Sequence, residues 1–269
     1  EAGRAAKGTA IVNLLQLDGG EKVTAMVDVP EEKLQGSYLM MATRQGTIKR
    51  TELSEFVNLR KSGLIAIVLR EDDDLIGVAL TDGRREVLLG TRDGMSIRFA
   101  ETDLRPIGRN AVGVRGIELA EGDQVVAMSI VEEDTDVLAI TENGYGKRTA
   151  IEEYRLQSRA GKGIKAMNLT DKTGGLIAIR TVTMEDDLFI MTSDGVVIRM
   201  AADTIRLCGR ASQGVILIRL DNGAHVIDVA LTEKEEDGPE TTEEGQETEG
   251  AESAEETPDD ISEETEDRE

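Results

Sequence analysis

The sequence predicts an all-β protein shaped as a propeller-like disc of about five four-stranded blades, followed by a disordered acidic tail. Three observations lead to this fold class. A segment of about fifty residues repeats along the chain, glycine-rich turns separate short aliphatic runs, and the composition changes abruptly near residue 233. The chain has 28 glycines and only 2% aromatic residues, so aliphatic and β-branched side chains must form the core.

The first part of the repeat predicts a β-hairpin. Four aliphatic runs are each followed by the template T-x-x-G-x-x-x-R, and the template glycines lie 48, 50 and 51 residues apart. These turn glycines are Gly46, Gly94, Gly144 and Gly195. Three of them follow Asp or Asn, and Asp-Gly and Asn-Gly supply the positive φ that a tight hairpin needs. We therefore expect one hairpin at each turn glycine.

Two further β-type segments recur after each hairpin. One follows a second glycine, at Gly63, Gly113, Gly163 and Gly214, with a fifth copy at Gly8. The other is an aliphatic run at residues 23–27, 75–79, 125–129, 176–179 and 226–230. The chain thus carries four complete repeats and a fifth that is split between its two ends. A period of about 40–50 residues with four strands is typical of propeller blades.

The composition excludes several classes of function. The single cysteine, Cys208, and the single histidine, His225, exclude a disulfide framework and cysteine- or histidine-rich metal sites. No apolar run approaches the roughly 20 residues of a membrane helix and no secretory signal is visible, so we expect a cytoplasmic protein without a membrane partner. Residues 143–149 lack the first glycine of a phosphate-binding loop, and residues 71–74 lack calcium-loop spacing.

The charge divides the chain into two parts. Residues 233–269 hold 19 acidic residues against Lys234 and Arg268, a net charge of −17. Residues 1–232 hold 35 acidic and 29 basic residues, a net charge of −6. With Ile261 as its one large aliphatic residue, the second part cannot offset its chain entropy by burial. We expect 1–232 to fold and 233–269 to be a disordered tail that either solubilises the protein or competes for a basic surface.

Basic residues recur at fixed places in the repeat. The turn arginines, four residues past each turn glycine, are Arg50, Arg98, Arg148 and Arg199, with Lys49 and Lys147 beside two of them. A second series, four residues before the second glycine, comprises Arg4, Arg109, Arg159 and Arg210, with Arg60 and Lys61 in the divergent second copy. Further basic residues nearby are Lys7, Arg115, Arg155, Lys162, Lys165 and Arg206.

Equal offsets in successive blades fall at equal radius and height, so these series predict a basic belt around the disc. Duplex DNA, with about one negative charge per 1.7 Å of axis, is a periodic ligand for such a belt, and arginines can bend it without reading its sequence. Six Phe and Tyr residues offer few platforms for stacking single strands. The candidate DNA-binding set leaves out Arg155 and Arg206. It comprises Arg4, Lys7, Lys49, Arg50, Arg60, Lys61, Arg98, Arg109, Arg115, Lys147, Arg148, Arg159, Lys162, Lys165, Arg199 and Arg210. The alternative is ordinary solvated strand ends, some paired with carboxylates.

Several stretches resemble the C-terminal DNA-wrapping domain of the DNA gyrase A subunit. They are residues 8–15, 108–117, 143–149 and 213–219, and the resemblance covers 1–232. It implies a β-pinwheel, a propeller-like disc whose basic rim wraps duplex DNA with positive handedness for a type II topoisomerase that introduces negative supercoils. The implied partners are duplex DNA, the rest of the gyrase A subunit and the gyrase B subunit, on the bacterial chromosome. The resemblance also implies that an acidic tail tunes the wrap.

Two departures from the family pattern bear on this expectation. The family's Q-R-R-G-G-K-G-like heptad is not present, and its nearest matches are residues 4–8 and 159–163, so we expect a fragment that lacks the first blade. The catalytic tyrosine of the strand-passage domain is also missing. We therefore expect no catalysis and no cofactor in this chain, although the complete gyrase uses ATP and Mg²⁺. The alternatives are the topoisomerase IV counterpart, whose blades are typically fewer and more degenerate, and a protein-binding propeller scaffold.

Overall fold

The part of the chain that the structure describes consists of strands, turns and short 3₁₀ helices. A computed structural model describes residues 17, 20–58, 63–221 and 223–234. The strands there are β1 (Tyr38–Thr43), β2 (Thr47–Glu52), β3 (Leu75–Thr81), β4 (Glu86–Thr91), β5 (Met95–Ala100), β6 (Val114–Arg115), β7 (Val125–Val131), β8 (Asp136–Thr141), β9 (Tyr145–Ala150), β10 (Ile164–Lys165), β11 (Leu176–Val182), β12 (Asp186–Thr192), β13 (Val197–Ala201), β14 (Val215–Ile216) and β15 (Val226–Glu233). The 3₁₀ helices are Glu31–Lys33, Leu53–Phe56, Glu101–Asp103, Ile151–Glu153 and Ala202–Thr204. The predicted all-β class is confirmed.

Each T-x-x-G template forms the predicted hairpin because its threonine and glycine close the turn together. The four turn glycines adopt φ between 79° and 87°, a left-handed conformation that is unstrained only without a Cβ. The threonine hydroxyl accepts the backbone N–H four residues later, at 3.1–3.3 Å in every copy. Four antiparallel hairpins result: β1–β2, β4–β5, β8–β9 and β12–β13.

Three of the sheets are completed by a strand from the following repeat. Their strand orders are β3-β1-β2-β6, β7-β4-β5-β10 and β11-β8-β9-β14. The third strand of a repeat pairs with the first strand of its own hairpin, as β3 does with β1. The segment after the second glycine, which we call the exchanged strand, pairs with the hairpin of the preceding repeat, as Val114 does with Ile48 and Val215 with Gly146. Each complete sheet therefore combines three strands of one sequence repeat with one strand of the next repeat.

The ends of the array differ from its middle. The fourth sheet, β13-β12-β15, has three strands in the described part of the chain, and the Gly8 copy of the repeat lies outside that part. The strand predicted at residues 23–27 is not formed. That prediction is wrong because a third strand forms by pairing with the hairpin before it, and the described residues hold no hairpin before residue 23. Glu233 ends β15, and residues 235–269 lie outside the described residues.

Aliphatic side chains fill the spaces between successive sheets. In the first of three clusters, Met40 and Ile48 of one sheet pack with Val87, Leu89 and Phe99 of the next. The third strands β3, β7, β11 and β15 lie side by side in that order. Because the exchanged strands are at the opposite edge of each sheet, β6, β10 and β14 form the outer edge of the array.

Replacing Gly163 with alanine tests the close approach of an exchanged strand. A Cβ there would lie 2.2 Å from the Ser96 carbonyl oxygen, at a φ of +74°. Since both the conformation and the collision disfavour alanine, Gly163→Ala should lower the free energy of unfolding by about 3 kcal/mol in urea denaturation. Gly122→Ala is the matched control, with φ +80° and no heavy atom within 4 Å, and should cost about 1 kcal/mol. Equal losses would contradict a role for this contact.

Candidate nucleic-acid interface

Three of the four turn arginines lie beside carboxylates of their own hairpins. In three hairpins the partner is an acidic residue twelve positions earlier, at or beside the start of the first strand. The pairs are Arg98–Glu86 at 2.6 Å, Arg148–Asp136 at 2.8 Å and Arg199–Asp187 at 2.8 Å. Arg148 is only 5% exposed, and Arg199 also stacks on a ring of its own hairpin, Phe189. Each of these three guanidinium groups thus already has a carboxylate partner within its hairpin.

Two turn arginines also bind the 3₁₀ helix region of the next repeat. The Arg98 guanidinium donates to the carbonyl oxygens of Ile151 and Tyr154, at 2.9 and 3.1 Å. Arg148 donates to the carbonyl oxygen of Ile205 at 2.9 Å. Each arginine therefore joins a carboxylate of one sheet to the backbone of the next. For Arg98 and Arg148, both predicted to contact DNA, the structure thus shows intramolecular partners that hold neighbouring sheets together, which is the alternative of strand ends paired with carboxylates.

The first hairpin makes the same connection with a different partner. Tyr38 occupies the place of the carboxylate, and the Arg50 guanidinium lies 4.6 Å from the centre of its ring. The carboxylate comes instead from the next repeat, with Glu101 Oε1 3.7 Å from Arg50 Nη1. Glu101 is fully buried, and burial raises the pKa of this carboxyl above its usual range. Arg50, also predicted to contact DNA, is 8% exposed, so little of its guanidinium group is open to a ligand.

Lys49 and Lys147, also predicted to contact DNA, are fully buried. The Lys49 ammonium donates to the carbonyl oxygens of Ala66, Arg109 and Ala111 at 2.5–3.1 Å. Lys147 does the same for Gly209, Arg210 and Ser212. Burial lowers the pKa of each lysine to about 8. The prediction is corrected: both lysines bind backbone carbonyl groups just before the second glycine of the next repeat, and they offer no charge to a ligand.

Three arginines of the second basic series, Arg109, Arg159 and Arg210, lie in the segments that lead to the exchanged strands. Each of them donates a hydrogen bond to the preceding repeat. The guanidinium donates to the carbonyl oxygen two residues after that repeat's second glycine. The pairs are Arg109 with Ile65 at 3.3 Å, Arg159 with Arg115 at 2.9 Å, and Arg210 with Lys165. All three arginines are half-buried. These hydrogen bonds connect the outer segments of successive repeats.

The outer edge concentrates positive charge. The three segments 105–115, 155–165 and 206–216 each contain an exchanged strand and the approach to it, and together they hold nine basic residues and no acidic one. Six of the nine are exposed: Arg105, Arg115, Arg155, Lys162, Lys165 and Arg206. We call this surface the outer basic track. Its exposed charge contrasts with the buried charge of the turn arginines.

The candidate set missed three members of the track. Arg105, Arg155 and Arg206 each lie eleven residues past a turn glycine and directly follow a buried bulky residue, namely Leu104, Tyr154 and Ile205. That constant offset was available in the sequence. Of the predicted residues, Arg115, Arg159, Lys162, Lys165, Arg109 and Arg210 lie on or beside the track. Arg4, Lys7, Arg60 and Lys61 lie outside the described residues.

The aromatic residues do not form a stacking surface for single strands. All six Phe and Tyr residues of the chain are described, and each is buried or half-buried. Base stacking on exposed rings is how proteins hold single strands without sequence preference. Within the described ranges, no helix is long and apolar enough to span a bilayer.

Comparison with known proteins agrees with the repeat and the fold. The family model described as "DNA gyrase C-terminal domain, beta-propeller" matches residues 1–30, 37–82, 85–132, 135–183 and 186–233. The DNA gyrase A protein of Halalkalibacterium halodurans is 57% identical over 237 residues, which cover 88% of this chain and 28% of that protein. The DNA gyrase A protein of Clostridium acetobutylicum is 45% identical over 236 residues, with the same coverage. The chain thus spans little more than a quarter of the length of these relatives.

Two solved structures share the architecture. One, titled as the structure of a DNA gyrase A C-terminal domain, superposes with a TM-score of 0.75 and 26% identity, covering 83% of this chain and 75% of that chain. The other, titled as the C-terminal domain of DNA topoisomerase IV, gives a TM-score of 0.78 and 27% identity, covering 84% of this chain and 71% of that chain. The propeller-like class predicted from the repeat is confirmed.

Replacing Arg148 tests whether a turn arginine holds two sheets together. Arg148→Met leaves Asp136 and the Ile205 carbonyl oxygen without their donor, so the free energy of unfolding should fall by about 3 kcal/mol. Arg148→Lys should recover only part of this loss because a point charge cannot reach both acceptors. The control is Arg206→Met, an exposed arginine, which should change stability by less than about 0.5 kcal/mol. A similar small effect of Arg148→Met in chemical denaturation would contradict the structural role.

The lowered pKa of the buried lysines determines the sign with which the free energy of unfolding changes with pH. Because the pKa of Lys147 is about 8 in the folded protein and 10.5 in its ordinary state, the unfolded chain binds more protons between these values. The free energy of unfolding should therefore rise with pH through this window, by about 1 kcal/mol for this lysine between pH 8 and 9.5. Measurements stay below pH 10 because burial raises the pKa of Tyr154 to about 12, which acts with the opposite sign.

Lys147→Ile is the variant that isolates this contribution. Isoleucine occupies the same place in two other hairpins, as Ile97 and Ile198. The variant should be less stable than the parent at pH 7.5, since three carbonyl oxygens lose a donor, and its stability should rise less steeply with pH. Parallel pH profiles of parent and variant in denaturant titrations would show that Lys147 does not titrate as inferred.

Proposed function

Since the chain belongs to the DNA gyrase C-terminal domain family, we propose that its folded part binds and wraps duplex DNA without regard to sequence. The outer basic track is the surface that carries this proposal. Nine basic residues and no acidic one occupy its three segments, in a folded part whose net charge is negative. Such a separation of charge gives a polyanion one favourable path across an otherwise unfavourable surface.

The geometry of the track suits the phosphate backbone better than base edges. Its side chains repeat from sheet to sheet along the outer edge, and phosphate contacts fix the position of a duplex without reading its sequence. Bending DNA is costly because its persistence length is about 150 bp, so a tight wrap needs many contacts in series. The repeated Arg105, Arg155 and Arg206 positions supply such a series, one per repeat.

The wider assembly is part of the same proposal. By analogy with the relatives named above, the domain would present wrapped DNA, with positive handedness, to the rest of a gyrase A subunit and to the gyrase B subunit in the bacterial cytoplasm. The chain itself would need no cofactor, and ATP and Mg²⁺ would act on the complete enzyme. A protein-binding propeller scaffold is the second candidate function, and it is favoured by the exposed aliphatic residues Leu156 and Leu207 within the track.

Charge reversal on the track distinguishes the two functions. The triple variant Arg105→Glu, Arg155→Glu, Arg206→Glu should weaken binding to a mixed-sequence duplex at least about hundredfold at moderate salt. In a salt titration, the slope of log K against log salt should fall by about 0.9 for each lost phosphate contact. Fluorescence anisotropy with a labelled duplex measures both quantities.

The matched control reverses three exposed charges outside the track. Lys22→Glu, Arg84→Glu, Lys172→Glu changes the net charge by the same amount, so it should alter the affinity only through the general field. Equal losses in the two triple variants would overturn the assignment of the track. Absence of duplex binding by the parent chain would favour the protein-binding scaffold.

A further inference from the structure

The outer basic track carries an exposed apolar residue at the same place in each of its three segments. These residues are Pro106, Leu156 and Leu207, each twelve residues past a turn glycine. Pro106 is exposed, Leu156 is 54% exposed and Leu207 is 56% exposed. One exposed aliphatic residue on a protein surface needs no explanation. A place that is apolar and exposed in all three segments of a charged surface is a shared feature of that surface.

The backbone on both sides of Leu156 is fixed by one turn arginine. The Arg98 guanidinium donates to the carbonyl oxygen of Tyr154 at 3.1 Å. The carbonyl oxygen of Arg98 accepts the N–H of Gln157 at 2.8 Å, and Leu156 itself forms a parallel bridge with Arg98. Because the chain is held before and after this leucine, its exposed side chain stands on a rigid base.

Leu207 is held in the same way by the next turn arginine. The Arg148 guanidinium donates to the carbonyl oxygen of Ile205 at 2.9 Å, and the carbonyl oxygen of Arg148 accepts the N–H of Cys208 at 2.8 Å. Leu207 and Arg148 form the corresponding parallel bridge. A side chain that is presented by a fixed backbone loses little conformational freedom when a ligand covers it. Both leucines are therefore prepared for contact with a ligand.

The charge around these residues favours DNA over a protein as that ligand. An exposed arginine directly precedes each apolar residue, namely Arg105, Arg155 and Arg206, and the three segments contain no acidic residue. The cores of protein–protein interfaces are, by contrast, depleted of charged residues. The minor groove of a duplex offers sugars and base edges between two rows of phosphates. It therefore provides an apolar contact and negative charge side by side.

Bending is the costly step of a wrap, and apolar side chains can supply it. A duplex shorter than its persistence length of about 150 bp resists bending. Proteins that bend DNA from the minor groove insert side chains such as leucine and proline between base steps, which kinks the duplex by about 20–90° at each insertion. One apolar residue in each segment of the track would divide the bend among successive kinks.

We propose that Leu156 and Leu207, together with Pro106, are wedge residues that enter the minor groove of the wrapped duplex and bend it. This assignment rests on the duplex binding proposed above. The arginine before each leucine, Arg155 or Arg206, holds the phosphates beside the groove. The wedge residues thus contribute to the bend, and the arginines contribute to the salt-dependent affinity. The two contributions can be measured separately.

The double variant Leu156→Ser, Leu207→Ser removes two wedges and keeps every charge. Energy transfer between dyes at the two ends of a short duplex reports the bend. The increase in energy transfer on binding should be at least about twofold smaller than with the parent chain, because the kinks are lost. The affinity should fall by about tenfold as apolar contact disappears. The slope of log K against log salt should not change, since no phosphate contact is removed.

Two matched variants control for size and for the loss of exposed aliphatic side chains. Leu156→Met, Leu207→Met should retain the bend, because methionine also serves as a wedge. Val23→Ser, Ile227→Ser removes two side chains that are 42% and 53% exposed and lie outside the track. It should leave both the bend and the affinity unchanged. All of these side chains are partly exposed, so urea denaturation should show folded variants.

Other outcomes overturn the proposal in distinguishable ways. Absence of duplex binding by the parent chain would overturn the proposed function and the wedges with it. Parent binding with an equal bend in the serine variant would overturn the wedges alone, and weaker binding with an unchanged bend would show that the leucines only add contact area. Self-association of the parent in sedimentation that the serine variant loses, with an unchanged DNA complex, would identify a second copy of the chain as the partner.

Discussion

The completion of each sheet by a strand of the following repeat is the constraint on which the rest of the structure depends. Because β6, β10 and β14 belong to one repeat by sequence and to the preceding sheet by hydrogen bonding, no complete sheet forms within its own repeat. Adjacent sheets are consequently joined by backbone pairing as well as by side-chain packing. This coupling makes the array cooperative, as expected of repeats whose stability comes largely from their interfaces.

Strand exchange also explains why the two recurring sets of basic residues, the turn arginines and those of the outer basic track, have opposite roles. In the three complete sheets, each turn arginine lies on the second strand of its hairpin, next to the exchanged strand, and its guanidinium group faces carboxylates or backbone carbonyls. Arg98, for example, contacts Glu86 on its own hairpin and Ile151 in the next repeat. The residues of the exchanged segments form the covering layer, and their side chains, such as Arg155 and Lys165, remain exposed.

The sequence was informative wherever a contact is local. The T-x-x-G template predicts hairpins correctly because the hydroxyl of Thr91 and the φ of Gly94 act within a few residues. It was misleading for the turn arginines, since equal spacing shows that residues share an environment but does not reveal which environment. The acidic partner twelve residues earlier was a usable signal. The burial of Lys147 was not visible, because the carbonyl groups that it binds lie more than sixty residues away in sequence.

The two classes of positive charge respond differently to salt. Partly buried pairs in direct contact, such as Arg148 with Asp136 at 2.8 Å, are screened much less by salt than exposed charges are. In the proposed DNA complex, the exposed side chains of the outer basic track would release counterions from the duplex, so their contribution to binding would fall steeply as salt increases. Salt concentrations that would release a duplex are therefore expected to leave the array of sheets intact. Because the fold neutralises its interior arginines with its own carboxylates, it can present an unpaired basic edge while its net charge stays negative.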